Sequence, residues 1–140
     1  MIDLNSKFGR AVKRLLKNQY VIWLTTTDSN LTPQPRPVWF IWENNSFLIF
    51  SKPDTHKVRH IAENPNVALH FNTDESGDKH VIIFIGEALM DVNCPPAHKV
   101  AAYFKKYKTG ISDLDMTPEE FSAEYSTAIR ITPANVRGWE

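Results

Sequence analysis

The sequence predicts an α+β fold that is mainly β: six antiparallel strands, closed or nearly closed into a barrel, with flanking helices. Three observations carry this. Short β-branched and aromatic runs follow one another with polar turns between them, which suits sequential antiparallel pairing. Two runs, PVWFIW (37–42) and the first half of HVIIFIGEALMDV (80–92), are apolar on both faces. A half-solvated sheet would alternate, so barrel closure plus helices, or a second subunit, must cover both sides. Finally, three or four segments carry helical signals. The length of 140 residues suits one domain, 1–140, and at this size about two-thirds of the unfolded surface is buried.

The elements follow in order. Phe8, Val12, Leu15 and Leu16 form one helical face that Asn5 or Ser6 can cap. Gly9 weakens that helix by about 1 kcal/mol relative to alanine. YVIWLTTT (20–27) is the first strand and DSN its turn. PVWFIW and SFLIFS (46–51) are the second and third, a hairpin about the tight turn ENNS. HKVRHIAEN is a short helix halted before Pro65. NVALHFN (66–72) is the fourth strand, and TDESGDK a polar turn. The fifth strand, 80–92, contains Gly86, which marks a bulge or bend. NCPP opens a helix with proline in its first turn, whose buried stripe is Ala97, Val100, Ala101 and Phe104. Thr117-Pro118-Glu119-Glu120 is a capping box. STAIRIT (126–132) is the sixth strand, and the tail PANVRGWE is irregular.

Sixteen basic and sixteen acidic residues cancel, so no electrostatic footprint for general nucleic-acid binding exists. The cations crowded into residues 7–17 and the acids of 113–124 read as solvated helix faces. One cysteine, Cys94, precludes an internal disulfide and fits a reducing compartment. No signal-peptide pattern opens the chain and no apolar run approaches a membrane span, so a cytosolic protein is expected, with no membrane partner.

The residues that carry chemistry concentrate at one corner. Arg36 opens the second strand, Ser51 and Lys52 end the third, and Thr55 and Lys57 sit at the start of the next helix. In the predicted hairpin Arg36 can approach Ser51. A helix N-terminus with unpaired N–H groups suits a phosphate, which arginine and lysine would complete. The plainer alternative is that Asp54 or Thr55 caps the helix and the lysines are solvated. His56 and His60 have metal-ligand spacing but no third ligand, and read as surface histidines. Cys94 near His98 reads as structural rather than nucleophilic. With no GxGxxG, P-loop, GxSxG or paired carboxylates, any chemistry would fall to a cofactor. Trp23, Trp39, Phe40, Trp42 and Trp139 supply core or interface, with one or two able to stack on a flat ring.

The run PQPRPVWFIWENNSFLIFSKPDTHKVRHIAENPNVALHF, with its arginine opening a strand, V-W-F, a strand ending F-S, T-H-K and E-N-P, resembles the pyridoxamine 5′-phosphate oxidase-like flavin-binding split-barrel family. The tail TPEEFSAEYSTAIRITPANVRGW is similar to that of the deazaflavin-dependent branch. The resemblance implies a six-stranded split barrel and a homodimer with FMN or coenzyme F-420 at the subunit interface. It implies phosphate contacts from Arg36, Lys57, Ser51 and Thr55. Ring contacts would come from the segment Pro37, Val38 and Trp39, and Phe50 is an aromatic neighbour. His56 stands where many relatives carry arginine, which makes this phosphate site less basic. Arg137 and Trp139 would contribute from the tail across the dimer. The implied activity is oxidoreduction of a small organic substrate, with protein groups orienting the ring and excluding water. Pyridoxamine phosphate oxidation itself is not expected, because the arginine and histidine of a longer C-terminus have no counterpart before Glu140. The alternatives are a non-catalytic flavin or haem carrier or sensor on the same barrel, and a structural dimer without ligand.

Overall fold

In the computed structural model, which describes residues 2–139, the chain runs α1 (Lys7–Asn18), β1 (Ile22–Thr27), β2 (Pro33–Val38), β3 (Ile41–Glu43), β4 (Ser46–Ser51), α2 (His56–Glu63), β5 (Asn66–His70) and β6 (Val81–Met90). A 3-10 turn (Ala97–Lys99), α3 (Ala101–Asp113), α4 (Pro118–Glu124) and β7 (Thr127–Trp139) complete it. The strands form one antiparallel sheet in the order β2-β1-β5-β6-β7-β4-β3. The sheet curls so that its two edge strands, β2 and β3, lie only Trp39 and Phe40 apart in the chain. No ladder joins them, and the barrel is split there.

The fold class is as the sequence predicts, with seven strands instead of six. PVWFIW is not one strand: β2 pairs with β1 across Ile22↔Val38 to Thr27↔Pro33, while β3 pairs with β4 across Ile41↔Leu48. Pro33, Pro35 and Pro37 alternate with Gln34, Arg36 and Val38. Proline cannot donate to a ladder, so only the non-proline residues can turn their N–H groups toward β1, and β2 must be an edge. The hairpin at Asn44–Asn45 is as predicted; both residues have positive φ (52° and 58°), the twist that tight hairpins need.

The tail is a second correction. β7 continues through Pro133 to Trp139, because β6 offers a ten-residue ladder from Val81↔Trp139 to Met90↔Ile129. The register shifts at Ile85/Gly86, opposite Pro133. A Cβ on Gly86 would stand 2.4 Å from the Thr132 carbonyl oxygen, so glycine is what lets the strands close on the bulge. Gly86→Ala is expected to destabilise the fold by about 1–3 kcal/mol, as overpacking does, read as a lower denaturation midpoint.

Two cores flank β4, whose six residues are all buried. Phe47 and Ile49 face the barrel interior with Phe40, Leu69, Phe84 and Ile129. Leu48 and Phe50 face the helical layer, with Tyr103, Tyr107, Ile111 and Phe121. The stripe of α3 is therefore Tyr103-Tyr107-Ile111. Of the expected Ala97, Val100, Ala101 and Phe104, Ala97 is buried and Val100 and Phe104 pack against the same core, but the helix proper begins only at Ala101, whose side chain is exposed. The outer face of β6 has no such cover: Ile83, Ile85 and Leu89 remain 39%, 42% and 58% exposed. Among the described residues no helix is long and apolar enough to cross a membrane.

Candidate functional site

The turn after β4 is where the helix caps differ. Ser6 caps α1 by accepting the Gly9 N–H (2.9 Å), and Thr117 caps α4 within a complete capping box. Thr55 occupies the N-cap position of α2 but makes no side-chain cap. Its hydroxyl lies 3.0 Å from Ser51 Oγ and 3.3 Å from the Lys52 carbonyl, while Ser51 Oγ donates to that carbonyl at 2.9 Å. The alternative that Asp54 or Thr55 caps this helix is thereby corrected: the turn draws the threonine away, and the first-turn N–H groups of α2 keep no side-chain partner. α2 itself is held by buried Ile61 and by His60 Nδ1, 2.9 Å from Thr26 Oγ1.

This corner opens into a cavity of about 420 Å³. Ser51, Thr55 and Lys57 line one end. Pro37, Val38, Trp39 and Phe50 line its strand side, and Tyr103, Phe121 and Tyr125 its helical side. Lys57 is half-buried, and its ammonium is held below the ordinary lysine range first by loss of solvent and then by the positive charge of Arg36. Arg36 does not reach Ser51 through a hairpin, as the sequence suggested: it sits opposite Leu24 on β1, and Ser51 sits opposite Thr127 on β7. It approaches Lys57 instead, with Nη1 donating to the Pro35 carbonyl at 2.7 Å. Among the described residues the ion pairs are Lys52–Glu124, Arg130–Glu43 and Arg130–Asp91, so neither Arg36 nor Lys57 has a carboxylate partner.

Trp39 forms a wall more than a free platform. Its ring stacks with Tyr107 (centroids 4.7 Å apart, planes within 4°) and with Phe121 (5.9 Å, 19°), and Phe121 stacks in turn on Tyr125 (4.5 Å). The Trp39–Phe40 corner belongs to no strand, and α3 satisfies its backbone. Phe40 N–H donates to the Tyr107 hydroxyl at 2.8 Å, and the Phe40 carbonyl accepts from Lys106 Nζ at 2.9 Å. The Tyr107 hydroxyl donates in turn to the Tyr20 or the Phe40 carbonyl, 2.7 and 2.8 Å away. Burial lowers the Lys106 ammonium to about 8 and raises the Tyr107 phenol. At the rim, Lys52 and Glu124 form an exposed 2.8 Å ion pair beside Tyr125.

The other expected residues lie elsewhere. His56 is exposed outside the cavity, against Arg59. Arg137 and Trp139 stand toward the far end of β7 from Thr127, about 33 and 40 Å of extended chain away; Trp139 donates to the Asp78 carbonyl. Burial raises the Cys94 thiol, and His98 Nδ1 lies 2.6 Å from Ser122 Oγ instead of addressing the cysteine. Sequence reasoning missed Val21, Tyr103, Leu114, Phe121 and Tyr125 as cavity residues; only the i, i+4 spacing of Tyr103 and Tyr107 hinted that α3 presents an aromatic face.

Comparison with known proteins returns consistent results. Among solved structures, a conserved hypothetical protein from Mycobacterium tuberculosis superposes with a TM-score of 0.77 at 14% identity, covering 96% of this chain and 84% of that one. An F-420 reductase superposes with a TM-score of 0.64 at 22% identity (89% and 94% covered). The heme storage protein HutZ from Vibrio cholerae does so at 0.64 and 14% (95% and 93% covered). These likenesses show the fold. A search of curated proteins finds no match. The family model described as pyridoxamine 5′-phosphate oxidase matches residues 8–140, and by that match the chain belongs to the pyridoxamine 5′-phosphate oxidase-like split-barrel family.

Proposed function

We propose that this chain is a cytosolic oxidoreductase that holds FMN or coenzyme F-420 by its phosphate and acts on a small organic substrate. One observation carries the reading. The uncapped first turn of α2 faces a cavity beside two mutually repelling cations, Arg36 and Lys57, with no described counter-ion. A phosphate would supply what each of these groups lacks: an acceptor for the N–H groups and opposite charge for the cations. Ser51 and Thr55 add hydroxyls at the same end. The remaining wall, with Val38, Trp39, Phe50 and Tyr125, is apolar and aromatic and suits a flat ring. A flavin or deazaflavin bound there would supply the electron chemistry. The chain's own residues grip the phosphate, orient the ring against the Trp39 wall and keep water from it.

The homodimer belongs to the same proposal. The uncovered stripe Ile83, Ile85 and Leu89 suits a second copy, and Arg137 and Trp139, remote from their own chain's cavity, would serve the partner's. Sedimentation velocity reads this mass directly; a monomer at micromolar concentration would remove it.

Titration of the purified apo-protein with FMN and with coenzyme F-420, followed by tryptophan fluorescence, tests the function. Trp39 in the cavity wall should report saturable binding of at least one. Binding of neither at high micromolar concentration would overturn the reading. A second reading, a non-catalytic flavin or haem binder, is favoured by the likeness to HutZ. No histidine lines the cavity to ligate haem iron, which weighs against haem there. Bound, reducible cofactor that never passes electrons to a test quinone or enone would favour the carrier.

A further inference from the structure

A second cavity, of about 350 Å³, adjoins the first, and Phe50 and Tyr125 line both. The rest of its wall comes from the segment 90–96 that follows β6, from Ser122 on α4 and from residues 126–128 at the start of β7. The two cavities carry opposite charge. Lys52 and Lys57 line the first, and no carboxylate does. Asp91 lines the second, and no lysine, arginine or histidine does. The Cys94 thiol in the same wall is kept neutral, first by burial and then by the Asp91 carboxylate.

Asp91 is fixed in place and incompletely paired. Its N–H donates to the Ala128 carbonyl at 2.9 Å, and its Oδ1 accepts the Asn93 N–H at 3.2 Å. Its Oδ2 lies 3.4 Å from Arg130 Nη2, while Nη1 of the same guanidinium lies 3.1 Å from Glu43 Oε1. One cation thus serves two carboxylates, with the longer arm toward Asp91, and one negative charge remains in excess. A carboxylate has about four lone-pair sites, so Asp91 keeps capacity for a further donor. Ser126 and Thr127 add hydroxyls to the same cavity, and Met90, Pro95 and Pro96 add apolar surface. Aromatic walls, here Phe50 and Tyr125, favour a cation over an anion. The volume suits a single-ring molecule.

We propose that this cavity is a second ligand site, which takes a small organic ammonium ion with an apolar or aromatic body. Asp91 receives the ammonium, and the body lies against the aromatic and proline walls. The site stands apart from the phosphate reading, since neither Arg36 nor Lys57 lines it.

Isothermal titration of the full chain at neutral pH with benzylamine and with benzyl alcohol tests it, accompanied by amide NMR spectra. The two probes share a body and differ in charge. The expected result is saturable binding of benzylamine, at least tenfold tighter than that of benzyl alcohol, with amide shifts centred on residues 91–94 and 125–128. Asp91→Asn keeps the shape of the side chain and should weaken benzylamine tenfold or more. Equal affinity for the two probes, no saturable binding of benzylamine at millimolar concentration, or shifts centred on residues 55–57 of the first cavity would each overturn the proposal. So would unchanged benzylamine binding in a folded Asp91→Asn. Circular dichroism checks that variant's fold; should it fail to fold, the wild-type comparison of the two probes and the location of the shifts decide alone.

Discussion

Lys57→Met is expected to weaken binding of the phosphate-bearing cofactor by about 1.5–3 kcal/mol, roughly tenfold to 150-fold, through loss of one charge-assisted contact. The same substitution should stabilise the apo-protein. An ammonium whose pKa in the folded state lies below its unfolded value costs stability wherever both states hold the proton, and here lost solvent and Arg36 impose that cost. The apolar side chain escapes it. Affinity and apo-stability therefore move in opposite directions, which a purely structural lysine would not produce. The pH dependence follows with its sign. A bound phosphate favours charged Lys57, so affinity is constant below the depressed pKa of the free protein and falls as pH rises through it. Titrations over an alkaline pH series should show this decline in wild type and lose it in Lys57→Met. A variant with unchanged affinity would remove Lys57 from the phosphate grip.

The second large effect lies at the barrel's split. Tyr107→Phe removes the hydroxyl that accepts the buried Phe40 N–H and donates to a neighbouring carbonyl. Leaving that N–H unsatisfied is expected to cost about 1–3 kcal/mol in denaturant unfolding. Trp39 stacks directly on the same ring, so the change should also shift the tryptophan emission and loosen the cavity wall. Loss of stability without any fluorescence change would mean that Tyr107 supports the corner but does not set Trp39. Unchanged stability would mean that water replaces the hydroxyl.

Those two residues also show where sequence reading stops. PVWFIW looks like one apolar strand because nothing local interrupts it. Its break is set by Tyr107 and Lys106, on a helix more than sixty residues away, which provide what a ladder would otherwise provide. The hairpin at Asn44–Asn45 and the bulge at Gly86 were legible because their backbone demands name their residues. The course of β7 past Pro133 was not, since it depends on the length of β6 opposite. In the site, Ser51, Thr55, Lys57, Pro37, Val38, Trp39 and Phe50 converge on one cavity as their clustering in sequence suggests. Arg36 does not line it: it is exposed on the β2 edge, near enough to Lys57 for its charge to act there. His56 turns outward because Arg59, one turn on, holds it there. The failed cap at Thr55 was invisible: its composition is that of a good cap, and only the position of Ser51 reveals that the hydroxyl is engaged elsewhere.

The alternating prolines of β2 bear on how copies of this chain can meet. An outer strand is ordinarily a template on which another chain can hydrogen-bond and extend the sheet. Along β2 the three amides that would face such a newcomer belong to Pro33, Pro35 and Pro37, so that margin presents carbonyl acceptors and no donors. A strand laid there would find half of its ladder missing. Growth by sheet extension is closed at this margin, and the proposed dimer would form instead through the open face of β6. Face-to-face contact ends at two subunits, where edge-to-edge contact could continue without limit.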